Sequence, residues 1–125
     1  MHDGPENFLT YRTAWALCGL ALRGGANALL DGTNLTESGR RGAYAAADAA
    51  GAPVAVVLVL TARAVLEGRA AAVGEERLRA YAKLGHREPR PEASRPFLAL
   101  DGALAPEENL ARLRSWEPLR PLFHP

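Results

Sequence analysis

The chain has 125 residues, 48% of them apolar and 23% charged, with a formal net charge of +1. That length suits one domain burying roughly two thirds of its unfolded surface, and the apolar content argues against disorder as the main state. Near-neutral charge gives no bulk attraction to nucleic acid or acidic lipid. The longest apolar run, Val54 to Leu60, falls far short of the ~20 residues that span a bilayer. A lone cysteine, Cys18, points to a reducing, cytoplasmic setting.

Residues 1–7 read as a frayed polar start. From Phe8 to Arg23 apolar residues recur at spacings of three and four, which predicts an amphipathic helix ended by Gly24-Gly25. Ala28-Leu29-Leu30 predicts a short buried strand running into a turn at Asp31-Gly32. Asn34 then suits an N-cap, with Glu37 able to close a capping box, for a helix to about Ala50. Gly51-Ala52-Pro53 ends it. Val54 to Leu60 shows no polar alternation and predicts a strand buried on both faces, as in a parallel sheet.

Thr61 is placed to cap a helix through Ala72, and Glu75 to Leu84 predicts another. Residues 85–96 mix prolines, arginines, Glu88 and Glu92 and read as a solvated connection. Phe97 to Asp101 predicts a third strand, and a last helix runs from Ala105 or Pro106 to about Trp116. Strands alternating with helices point to an α/β fold with a parallel sheet. His2, His86 and His124 form no pair at metal-ligand spacing. There are 14 arginines and one lysine, so a mechanism needing a lysine must use Lys83.

At Leu29-Leu30-Asp31-Gly32-Thr33-Asn34-Leu35-Thr36 the chain resembles the P-loop kinases of the polynucleotide-kinase and zeta-toxin type. In those kinases an apolar strand closes on Asp-x-Thr-Asn-Leu and an Arg-Arg pair opens a helix, here Arg40-Arg41. The likeness continues through Gly51-Ala52-Pro53-Val54, a valine-rich strand, a lid signal at Glu67-Gly68-Arg69, then Arg87-Glu88-Pro89, Pro96 and a strand ending at Asp101. It covers roughly residues 11–117, within a single domain 1–125. The fold implied is a three-layer parallel sheet with flanking helices, P-loop NTPase-like but lacking the first two strands. These kinases begin with a strand and the loop G-x-x-x-x-G-K-[S/T], whose backbone N–H groups hold phosphates. Neither occurs in these 125 residues, because Lys83 follows Ala82 and precedes Leu84. A second lid arginine is replaced by Ala72 or Val73.

The resemblance implies ATP and Mg²⁺ as cofactors and a hydroxyl acceptor on a small molecule or nucleic-acid end. Asp31 would hold Mg²⁺ through water in a Walker-B-like catalytic role, and Arg69 would be a catalytic lid arginine stabilising the transferring phosphoryl group. Thr33, Asn34, Arg40 and Arg41 would bind the acceptor. Each has a plainer reading: Asp31 as a turn residue, Asn34 as a cap, the arginines as solvated surface. Arg40 and Arg41 lie near a helix start, where the dipole disfavours cations, and that hints at an anion partner. The isolated chain is expected to transfer no phosphate. Three origins stay open: a kinase remnant, an interaction protein completing its sheet with a second copy or a partner chain, and a chain begun at an internal methionine.

Overall fold

The computed structural model describes residues 5–32, 37–84 and 90–123. These fall into two compact units, one within residues 1–54 and 89–92, the other within residues 55–88 and 93–125.

The first unit holds α1 (Pro5–Arg23) and α2 (Glu37–Ala49), which pack on each other. Both end in the same way. Ala26 N–H donates to Ala21 O and Gly25 N–H to Leu22 O; Ala52 N–H donates to Ala47 O and Gly51 N–H to Asp48 O. Each is a Schellman stop, and Gly25 and Gly51 take the positive φ it requires, 86° and 67°. The predicted glycine stops are thus where the backbone turns left-handed. Small residues let the two helices approach: Gly19 is buried beside Ala46, and Gly42 faces the Trp15 indole so closely that an added Cβ would fall on the ring. Tyr11 stacks on Trp15 with centroids 6.1 Å apart. Leu9, Leu17 and Leu20 stay more than half exposed, so α1 is apolar on more than the face it buries.

The second unit is built on β1 (Val56–Leu60) and β2 (Phe97–Asp101), paired in parallel with Val56 opposite Phe97 and Leu60 opposite Asp101. Parallel neighbours need a long crossover. Here it contains α3 (Arg63–Val73) and α4 (Glu75–Leu84), which pack on each other. Beyond β2 come α5 (Pro106–Ser115), a 3₁₀ turn (Glu117–Leu119) and α6 (Arg120–Phe123). α4 opens on Glu75-Glu76 and closes on Lys83, and α5 opens on Glu107-Glu108 with Arg112 and Arg114 in its last turn. Both patterns suit the helix dipole.

Three predicted features differ. Ala28 to Asp31 is irregular rather than a strand, and Leu29 is 92% exposed; a short apolar segment becomes a strand only where a neighbour completes its ladder. The sheet among the described residues therefore has two strands, and the three-stranded sheet is not formed. β1 is not buried on both faces: Leu58 is buried, but Val57 and Val59 are 39% and 64% exposed. Thr61 does not cap α3, whose N-cap is Ala62 with no side-chain cap bond. The proposed cap at Asn34 lies outside the described residues.

Two glycine substitutions should have opposite effects in chemical denaturation. Gly42→Ala should cost about 1–3 kcal/mol by driving a methyl into Trp15. Gly68→Ala, in α3 with open space around it, should stabilise by up to about 1 kcal/mol through helix propensity.

Candidate functional site

A buried arginine near a helix start calls for an anion, and the first unit supplies one from its own chain. The Arg40 side chain is 7% exposed and meets the Glu92 carboxylate, 52 residues away in sequence. Its Nη2 donates to Glu92 Oε1 at 2.7 Å and to Arg90 O at 2.6 Å, and its Nε donates to Oε1 at 3.1 Å. Tyr44, one turn further along α2, donates its hydroxyl to the other carboxylate oxygen, Oε2, at 2.5 Å. The result is a closed polar cluster fastening residues 90–92 to α2. The Arg40 hydrogen bond holds the Glu92 carboxyl at about 2, well below its ordinary 4.5. Glu92 in turn raises the Arg40 pKa, and burial pushes the Tyr44 hydroxyl up.

Arg40 is therefore neither a solvated arginine nor an open acceptor contact; Glu92 fills its guanidinium. Arg41 behaves differently, 74% exposed and only 4.0 Å from Glu37. Glu92 is thus not part of a solvated connection but a partner of α2, and the sequence pattern alone singles out neither Glu92 nor Tyr44. The signal that could have found the cluster was the arginine's unfavourable position on the dipole, which calls for an anion without naming it.

Asp31 is exposed in an irregular segment, not at the end of a strand. Thr33 and Asn34 lie outside the described residues, as do Arg87, Glu88 and Pro89. Among the described residues no group of three or more His, Cys, Asp or Glu side chains could hold a metal ion. Mg²⁺ is content with one or two carboxylates when substrate phosphates and water complete its octahedron. A triphosphate also needs a cradle of N–H groups and a lysine, and these 125 residues contain no phosphate loop. The residues present do not fit Mg-ATP as a complete site, so no transfer step is derived through it.

The second unit carries a different feature. At the carboxyl ends of β1 and β2 lies a pocket of about 390 Å³, lined by Leu60, Thr61, Ala99, Leu100, Asp101 and Arg112 among others. Open parallel sheets bind ligands at that end. The turn beside it is tightly made: Gly102 N–H donates to Leu60 O at 2.8 Å, and a Cβ on Gly102 would strike the Thr61 hydroxyl. Asp101 Oδ1 accepts from Ala103 N–H at 2.9 Å, and Asn109 Nδ2 donates to Asp101 O at 2.8 Å. Arg69 reaches the same turn, its Nη2 donating to Gly102 O at 2.8 Å. Glu67 meanwhile pairs with Arg63 at 2.8 Å. Arg69 thus holds the turn that follows β2.

Removing one partner of a partly buried, hydrogen-bonded ion pair costs more than removing an exposed one. Glu92→Gln should destabilise by about 1.5–3 kcal/mol and Arg41→Ala by under about 1 kcal/mol in urea unfolding. Because Glu92 titrates lower folded than unfolded, its contribution is complete above pH ~4.5 and is lost as pH falls toward 2. Acid titration of the wild type should reveal that loss, and Glu92→Gln should flatten it.

A search of curated proteins and a search of solved structures each found no match. A family model described as an AAA domain matches residues 3–88, more than half of the chain. That span includes α1 to α4 with β1 and Arg69. The chain belongs to the AAA domain family.

Proposed function

We propose that this chain is the lid-bearing and acceptor-side part of a nucleotide-binding, kinase-like domain of the polynucleotide-kinase and zeta-toxin type. Its nucleotide contacts centre on the pocket at the carboxyl ends of β1 and β2. The observation that carries this reading is the hydrogen bond of Arg69 to the Gly102 carbonyl, in the turn between the pocket-lining residues Asp101 and Ala103, within a chain of the AAA domain family. The pocket's largely apolar walls with a few polar groups suit a planar heterocycle; Arg112 lines it as a cation, and Arg69 holds the adjoining turn. Phosphoryl transfer rests on positioning and charge stabilisation, and the phosphate-holding loop is not in these residues. On this reading they bind nucleotide weakly and do not transfer its γ-phosphate.

Two measurements on the purified chain test the reading. Millimolar Mg-ATP should move the backbone amide resonances of Gly102 and Ala103, and Arg69→Ala should reduce that response. Labelled γ-phosphate should not pass to nucleoside or oligonucleotide acceptors. Unmoved amides, with a thermal melt that ATP leaves unchanged, would remove the nucleotide site; saturable γ-phosphate transfer would overturn the claim of inactivity.

A further inference from the structure

We propose that Asp101 selects the ring that enters the pocket at the carboxyl ends of β1 and β2, accepting a hydrogen bond from the exocyclic amino group of an aminopurine. The proposal rests on the nucleotide reading above and deepens it: the pocket takes the base rather than the phosphates, and one side chain chooses the base. The described lining carries one carboxylate, Asp101, and one guanidinium, Arg112, among Leu60, Ala99 and Leu100. Among the described residues neither of the two charged groups forms an ion pair. A polyphosphate gains little from such a wall, since Asp101 opposes whatever Arg112 attracts. A neutral heterocycle with donors and acceptors on its edge fits it better.

Asp101 is held in place on several sides. The strand register sets it opposite Leu60 at the end of the ladder. Its carbonyl accepts from Asn109 Nδ2 at 2.8 Å and from Leu104 N–H at 3.1 Å. Its side-chain Oδ1 accepts from Ala103 N–H at 2.9 Å, which fixes the oxygen that faces the turn. The other oxygen, Oδ2, accepts no hydrogen bond among the described residues. An ionised carboxylate offers acceptors only, so Oδ2 calls for an N–H donor. On a nucleobase the exocyclic amino group supplies one, and carboxylates accept from such groups in direct base recognition.

The Ala103 bond also makes one substitution informative. Asp101→Asn keeps the outline of the side chain and must keep its carbonyl oxygen on Ala103 N–H. That sets an N–H₂ donor where Oδ2 stood, so donor would meet donor at an amino-bearing ring. A role confined to holding the turn would leave the choice of base untouched, because the Ala103 bond survives the change.

The test follows the Gly102 and Ala103 amide resonances during titration with adenosine, with purine riboside (the same ring without the amino group) and with Mg-ATP. Adenosine and Mg-ATP should bind with dissociation constants within about threefold of each other. Purine riboside should bind about tenfold more weakly, the loss of one hydrogen bond to a charged group. Asp101→Asn should abolish the preference for adenosine, with circular dichroism checking its fold. The comparison of nucleosides on the wild type needs no variant, so the proposal stays testable if that variant folds poorly. Equal affinity for the two nucleosides would overturn the proposal, as would a preference that survives in folded Asp101→Asn. A response to Mg-ATP with none to adenosine would also overturn it, by giving the pocket to the phosphates. In all three cases the nucleotide reading stands; silence toward all three ligands would remove both.

Discussion

The parallel ladder between β1 and β2 organises the second unit. Because the strands run the same way, the chain must travel back before it can pair, and α3 and α4 occupy that return. Because their carboxyl ends then coincide, Thr61 and Gly102 meet at one end of the sheet, and the pocket forms there. Gly102 is the residue that permits this closeness, since any side chain would displace Thr61. The turn is further pinned by Asp101 accepting from Ala103, by Asn109, and by Arg69. A sheet of two strands has little to cover it, and Leu58 and Leu100 are its buried side chains.

In the first unit a polar cluster takes a comparable part. α1 and α2 meet through small residues and one indole, but residues 90–92 are held by charge. Glu92 receives two hydrogen-bond donors from Arg40 and one from Tyr44. A carboxylate so surrounded stays ionised far into acid, and an arginine so paired tolerates burial that would otherwise be costly. The cluster answers the conflict between a cation and the amino end of α2. It does so by bringing in a group from far along the chain rather than a ligand.

The family reading and the local geometry reinforce each other unevenly. Arg69, singled out by its resemblance to a lid arginine, touches the turn beside the pocket. Asp31, singled out by resemblance to an acid at a strand end, stands on an exposed irregular segment that joins no ladder among the described residues. A motif keeps its residues in order whether or not the sheet that gives it meaning is present. Contacts divide the arginines: Arg40 is held by Glu92, Arg41 is exposed, and Arg69 holds the turn after β2.

Local physics made much of the chain legible from its residues. The apolar period of α1, the glycines at 25 and 51, and the valine run of β1 each act within a few neighbours, so sequence was enough to place those elements. Sequence also identified Arg40 as a cation in an unfavourable position. Three things were settled only by tertiary structure, because each depends on partners distant in the chain. Glu92, rather than a ligand, satisfies Arg40 across 52 residues. Among the described residues β1 pairs with β2 alone, and Val57 and Val59 are exposed. Leu29 ends in solvent, because burial of an apolar segment requires a surface to meet it, and no local pattern can say whether that surface exists.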